Sequence, residues 1–382
     1  MGSFLRTLGP REFRRRSQTR SDVTCPETLA AELGVAADKA LTAFGTSQLT
    51  ARTFRRTQTT VTQTWRTGPA PFAMVGALKS KHKGLRMNAG NIDRFLARRR
   101  RANPYYSARE GMRMVRLSHG DIRVRVTGTG PHTVVFVCDM PVVIEHYDHL
   151  FTLLEPRYRV VCMELPGMGF SVPGPAFGFT LMEQAGVVEQ VLRALGVQAC
   201  TLAFSCVNGY LALLLAQNAP ELVRRVVVLQ TPSWEEEKRW ARRIDFREKG
   251  WVATPVLGQL IVALSQRVIA RRWFAKALSG SSDAADFSVR TAAAFDAGCG
   301  WALASLTQAY FSAASPVFVP ISQPALVIWG TQDRTHRMTD PRSVLQYFRD
   351  AESVTFDDAG HSPEVEQPVL FVEHLVRLIE QR

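Results

Sequence analysis

LGVQACTLAFSCVNGYLALLLAQNAP, from Leu195 to Pro220, decides how the rest of the chain is read. The apolar run Ala199 to Phe204 stops abruptly at Ser205, Cys206, Val207, Asn208 and Gly209. From Tyr210 to Ala216 every position is apolar. A short buried strand that turns sharply into a helix fits this pattern. Ser205 and Cys206 stand at the turn itself.

Working outward, apolar runs rich in β-branched residues recur on both sides of this stretch. Met112 to Leu117 and Ile122 to Val126 read as strands joined at His119-Gly120-Asp121, a hairpin turn. Thr133–Val137, Arg159–Met163, Cys200–Phe204, Arg225–Leu229, Ala325–Trp329 and Val354–Phe356 follow, most of them alternating with helical segments. Near-continuous apolar strands separated by helices predict an α/β fold with a mainly parallel sheet covered on both faces. Right-handed crossovers then align the strand C-termini, and any site they carry, along one edge. Between about 233 and 322 the rhythm breaks into helical segments, Trp234 to Arg247, Val256 to Ala277 and Ala284 to Phe311, which read as an inserted cap. Its apolar segments Leu257–Leu264 and Trp273-Phe274 pack on the main domain or line a lipophilic pocket.

Charge divides the chain at the same place as pattern. Residues 1–113 carry 22 Lys+Arg against 7 Asp+Glu, and the remaining 269 carry 25 against 27. The whole chain's net charge of +13 therefore belongs to the first third. We expect a basic, partly helical or disordered extension over 1–110, with Thr28 to Phe44 and Ile92 to Arg101 as its helices, and a second domain over 111–382. Clustered arginines suit a solvated face, or docking to an acidic carrier protein or anionic membrane surface. LAAELGV with AADKALTAF lacks a third helix, so nucleic acid is an unfavoured partner.

The six cysteines are scattered without a CxxC pair, which argues against a zinc site and against a disulfide framework. Cys138, Cys162 and Cys200 sit in strand-like runs as small hydrophobes, and a reducing, cytoplasmic home is expected. The N-terminus lacks an apolar signal region, although its arginines allow an organellar transit peptide. The longest apolar run, Trp251 to Ser265, is broken by Pro255 and Gly258 and is too short to span a bilayer.

Three further motifs, with the Leu195 stretch, carry a resemblance. PALVIWGTQD, Pro324 to Asp333, resembles the strand and G-x-x-D turn that hold the catalytic acid of the α/β-hydrolase superfamily. DAGHSP, Asp358 to Pro363, with Glu366, Pro368 and Phe371, is similar to that family's histidine segment. ELPGMGFS, Glu164 to Ser171, resembles its D-x-P-G-x-G-x-S loop with Glu for Asp. The resemblance covers residues 112–382, about 70% of the chain, in the family's order of nucleophile, acid and histidine. It implies that Asp333 orients His361 and that His361 moves the nucleophile's proton.

The resemblance also bears on the nucleophile. The family places it about eleven residues after the Leu-Gly preceding its strand and about fourteen before the Pro ending the next helix. Cys206 stands at both spacings, whereas Ser205 misses each by one. Choosing Cys206 leaves Phe204 where a glycine is usual, and choosing Ser205 leaves β-branched Val207 there. Cys206 is favoured, with Ser205 the alternative; buried packing is the role either would have otherwise. The family's oxyanion donors would fall on the backbone amides of Met140 and Val207. Asp139 stands there in place of a glycine, where a carboxylate pointing inward would oppose developing negative charge.

The expectation is an enzyme that cleaves or transfers an acyl group of a small lipophilic ester, thioester or lactone through a Cys206–His361–Asp333 triad, without metal or organic cofactor. An acyltransferase or thioesterase acting on a carrier-bound chain is one alternative. A non-catalytic binding protein that keeps the fold is another. No Asp stands at the elbow, so the Asp-nucleophile chemistries of the superfamily are disfavoured.

Overall fold

A computed structural model describes residues 93–94, 109–243, 252, 254–296, 302–310 and 316–380. The expected helices at Thr28–Phe44 and most of Ile92–Arg101, the arginine runs around them, Cys25 and Cys299 lie outside the described residues.

The apolar runs become strands at nearly the positions their composition dictates. They are β1 (Met112–Leu117), β2 (Gly120–Thr127), β3 (Thr133–Val137), β4 (Arg159–Met163), β5 (Val172–Pro173), β6 (Cys200–Ser205), β7 (Val223–Leu229), β8 (Ala325–Gly330) and β9 (Ala351–Phe356). They order as β1-β2-β4-β3-β6-β7-β8-β9, with β5 pairing β2. β1, β2 and β5 pair antiparallel, and β2 meets β4 antiparallel. From β4 through β9 every neighbour is parallel. The chain thus has an α/β fold with a mainly parallel sheet. β5 escaped the sequence because two residues give no alternation to read.

Nine helices flank or cap the sheet among the described residues: α1 (Asp148–Leu154), α2 (Leu181–Ala194), α3 (Gly209–Asn218), α4 (Trp234–Arg243), α5 (Leu257–Ala277), α6 (Ala284–Asp296), α7 (Ala302–Tyr310), α8 (Pro363–Glu366) and α9 (Pro368–Glu380). The cap is α4 to α7. The expected helix over Ala284 to Phe311 is helical over Ala284–Asp296 and Ala302–Tyr310, and residues 297–301 and 311 lie outside the described residues.

Strand side chains alternate between two cores, as a period of two requires. Val135 and Val137 pack with Val187, Val191, Leu211 and Leu215 of α2 and α3. Val134 and Phe136 pack on the other face with Leu150, Phe151, Phe371 and Leu375 of α1 and α9. Phe136 is fully buried, and truncating it to Ala costs about 3–5 kcal/mol. Helix α2 starts at a reciprocal capping box between Thr180 and Glu183. It ends at Gly196, whose φ of 67° is left-handed.

A buried charge network fixes the loop after β4. Arg123 donates to Glu164 Oε1 at 3.0 Å and forks onto Glu145. The other Glu164 oxygen accepts from the Phe170 amide at 2.6 Å, and Oε1 also accepts from Ile144 at 3.1 Å. A Cβ on Gly169 would lie 2.0 Å from the Glu164 carboxyl carbon, so the longer Glu of ELPGMGFS fits only beside glycine.

No helix among the described residues is long and apolar enough to cross a membrane. From the N-terminal segment, Asp93 is buried against the cap, where Ser305 donates to its Oδ2 at 2.5 Å.

Candidate active site

Parallel strands deliver their C-terminal loops to one edge. The loops after β3, β6, β8 and β9 bring Asp139, Cys206, Asp333 and His361 together there.

At the elbow, Ser205 is the last residue of β6, with φ −102° and ψ 154°. Cys206 is the residue that turns, with φ 54°. A left-handed residue other than glycine costs about 1–2 kcal/mol, and such strain persists only where neighbours enforce it. Thr231 Oγ1 donates to the Cys206 carbonyl at 2.8 Å. Asn208 Nδ2 donates to the Cys138 carbonyl at 3.2 Å and ties the elbow to the loop after β3. Of the usual small residues, Gly209 remains for a steric reason: a Cβ there would lie 2.3 Å from Thr231 Oγ1.

Ser205 is engaged elsewhere. Its hydroxyl donates to Glu364 Oε1 at 2.7 Å, and Tyr147 donates to the same oxygen at 3.0 Å. Burial pushes the Glu364 carboxyl up to about 7, and the Ser205 and Tyr147 bonds hold it from rising further.

His361 and Asp333, expected as a pair, are bonded. His361 Nδ1 lies 2.7 Å from Asp333 Oδ2. Thr335 donates its amide and hydroxyl to Asp333 Oδ1 at 2.8 and 2.6 Å. Gln230 Nε2 donates to Oδ2 at 3.1 Å. Burial would raise the Asp333 carboxyl, but the charge of His361 and its bond drive it well below the usual carboxylate range.

The other side of the imidazole faces a second carboxylate. His361 Nε2 is 3.4 Å from Asp139 Oδ2. The Cys206 thiol, the Asp139 carboxylate and His361 all present their donor atoms within 4.8 Å of one another, and all three residues are buried. Burial raises Asp139; the neighbouring His361, then Cys206 and the Met140 amide, offset part of that rise. Burial, then the Asp139 charge, pushes the Cys206 thiol up to about 12. Burial alone would lower His361, but the surrounding Cys206, Asp333 and Asp139 acids reverse it and hold the ring's proton well above its usual range. Thiol, imidazole and two carboxylates thus share one buried cluster, with Asp333 on Nδ1 and Asp139 facing Nε2.

Met140 and Val207 were the expected oxyanion donors. Val207 lies in the first helical turn after Cys206. Asp139 points inward, its side chain 8% exposed.

The cap roofs the site with aromatic side chains. Trp273 of α5 stands edge-on to His361, ring centres 5.1 Å apart. His336 stacks on His361 at 5.3 Å and on Trp240 of α4 at 4.6 Å. Burial, then the nearby His361 charge, lowers His336 to about 3, so it is neutral. Glu237 of α4 is buried, with Oε2 lacking a hydrogen-bond partner among the described residues. Burial pushes it up to about 8.

Sequence reasoning named Asp139 as a departure without placing it among the working residues, and it missed Gln230, Glu237, His336 and Glu364. Gln230 offered one signal, a polar residue directly after the buried strand β7. Glu237 offered none, because cap residues have no fixed spacing to the strands.

The chain belongs to the alpha/beta hydrolase fold family, whose model matches residues 142–368. Among proteins of known sequence, it is similar to the dihydrolipoyllysine-residue acetyltransferase component of an acetoin cleaving system from Cupriavidus necator, at 33% identity over 110 residues. That match covers 28% of this chain and 29% of the relative's length. A point mutant of an epoxide hydrolase from Bacillus megaterium superposes with TM-score 0.57 at 15% identity, covering 70% of this chain and all of that one. An N-acyl homoserine lactone degrading enzyme superposes with TM-score 0.50 at 19% identity, covering 69% of this chain and 99% of that one. At those identities the two structures share the fold.

Proposed function

We propose that this chain is an acyl-transfer enzyme, hydrolytic or transferring to an acceptor, in which Cys206 is the nucleophile, His361 its acid–base partner and Asp333 the residue that holds His361. The observation that carries the reading is the left-handed Cys206 at the elbow, alongside a His361 already bonded to Asp333. A thiol attacks an acyl carbonyl, its proton passing to Nε2. The thioester carbonyl then re-forms as the leaving group departs with that proton. Water or an acceptor hydroxyl, amine or thiol next releases the acyl group. Entry to this cycle needs Nε2 to be free of its proton, which Asp139 must first take up; a buried carboxylate with a raised pKa is suited to that.

The aromatic roof of Trp240 and Trp273 supports a lipophilic acyl group. The acetyltransferase relative makes transfer as well supported as hydrolysis. The basic first third supports an acidic carrier or anionic surface as the source of that acyl group. The buried Asp93, within that third, favours part of the segment being packed on the cap.

A second reading has one observation in its favour. Asp139 faces the thiol and His361 from where an oxyanion would form, which suits a protein that binds acyl ligands without turning them over.

Incubating the full chain with an activated-ester probe and measuring intact mass tests both. One acyl adduct located at Cys206 is the expected result. An adduct at Ser205, or none at any concentration with ligand binding retained, overturns the acyl-enzyme reading.

A further inference from the structure

We propose that Cys206 Sγ, Asp139 Oδ2 and His361 Nε2 form a binding site for one zinc-class divalent cation, and that this cation, when bound, takes the thiol out of covalent chemistry. The proposal does not depend on acyl transfer, since the donors are the same whether or not the thiol turns over.

The donor set is one that zinc prefers: one sulfur, one imidazole nitrogen and one carboxylate oxygen. Their spacing fits as well. Nitrogen and oxygen ligands at about 2.0–2.1 Å around a tetrahedral ion stand about 3.4 Å from each other. His361 Nε2 and Asp139 Oδ2 are 3.4 Å apart, longer than a good hydrogen bond, and the Cys206 donor completes a triangle whose sides are all within 4.8 Å.

The outer shell is built too. A metal-bound imidazole normally hands its other nitrogen's proton to a carboxylate, which fixes the ring. Asp333 takes that position on Nδ1 at 2.7 Å, held in turn by Thr335 and Gln230. The site explains Asp139, which opposes the oxyanion of an acyl transfer but serves directly as a ligand. A neighbouring trio, Asp333, His336 and His361, is comparably close. It would have to give up the Asp333–His361 bond, so it is the poorer site.

The proton balance is simple. Binding displaces the thiol proton and any proton held between His361 and Asp139, and these pass to solvent. The sulfur then spends its lone pair on the cation. Three protein ligands leave a fourth position for water or a small anion.

The test uses the metal-stripped full chain titrated with Co²⁺ as a spectroscopic probe, followed by displacement with Zn²⁺. One equivalent should bind with a thiolate-to-cobalt charge-transfer band and four-coordinate visible absorption, both removed by Zn²⁺. Cys206→Ser should abolish the charge-transfer band. Asp139→Asn should weaken binding at least 10-fold, and Asp333→Asn should weaken it about 10–100-fold, as loss of an outer-shell partner does. No such band at one equivalent, or a band that persists in Cys206→Ser, overturns the site. Should these variants fail to fold, the wild-type chain decides alone: Zn²⁺ must protect Cys206 from iodoacetamide, read by peptide mass, and equal alkylation with and without Zn²⁺ overturns the proposal. Cobalt binding without ester labelling of the metal-free chain would remove the acyl reading and leave this one, and labelling without cobalt binding would do the reverse.

Discussion

Ser205 donates its hydroxyl to Glu364 Oε1 across 2.7 Å, with both residues buried. The bond commits the serine to a structural partner, while its neighbour Cys206 carries the turn of the elbow. Ser205→Ala should keep labelling by an activated ester and lose about 1–3 kcal/mol of stability, because Glu364 keeps its place and loses a donor. Cys206→Ala should lose labelling and keep its melting temperature within a few degrees. Intact mass and thermal unfolding of the two variants check both halves.

Gln230 stands behind Asp333 in a left-handed conformation, φ 49°. Its amide donates to Asp333 Oδ2 at 3.1 Å and to the Gly330 carbonyl at 3.3 Å, and its carbonyl accepts from Gly330 N at 2.8 Å. Gln230→Leu strands that buried amide hydrogen, at about 1–3 kcal/mol. It should also slow ester labelling at Cys206 by loosening the Asp333–His361 pair. Urea unfolding and labelling rates measure the two effects; an unchanged rate would show that Thr335 alone suffices to hold Asp333.

Arg123 is fully buried between Glu145 and Glu164. Arg123→Met takes the cation from Glu164 and leaves Glu145 with Arg109 at 3.8 Å. Loss of one partner from a buried ion pair costs about 3–5 kcal/mol. A midpoint shift in urea corresponding to under 1 kcal/mol would contradict this account of the loop after β4.

Asp93 gives a pH dependence. Burial raises its carboxyl from 3.8 to about 7, partly offset by the Ser305 bond. Because the folded value lies above the unfolded one, the folded state binds the extra proton. Its contribution is fully present below about 4 and is lost as pH rises through about 7. A shift of this size corresponds to up to about 4 kcal/mol. Asp93→Asn should therefore narrow the stability difference between pH 5 and pH 8 relative to wild type, measured as paired urea midpoints. Equal pH slopes for the two proteins would count against it.

Much of the fold was legible because strands in a doubly covered parallel sheet are apolar throughout. β1, β3 and β4 fall at the residues where alternation and β-branching place them. The turn between Phe204 and Gly209 was legible from the abrupt end of an apolar run, and the positions of Asp333 and His361 from motif spacing. What the sequence hid depends on contacts between distant loops. Nothing local in the chain says that Asp139 turns inward onto His361, or that Ser205 pairs with a residue 159 positions away. The cap residues Glu237 and Trp273 reach the site only because α4 and α5 fold over the sheet edge.

The roof over His361 has a kinetic consequence. Cys206 is 5% exposed and His361 1%. Trp273 packs on His361 and Trp240 on His336, so we expect a reagent that reaches the sulfur to part these rings. Access is then a gating step set by how often α4 and α5 swing outward, on the microsecond-to-millisecond scale of such motions. Reagents of very different intrinsic reactivity should share one ceiling rate at saturating concentration, because each waits for the same opening of the cap.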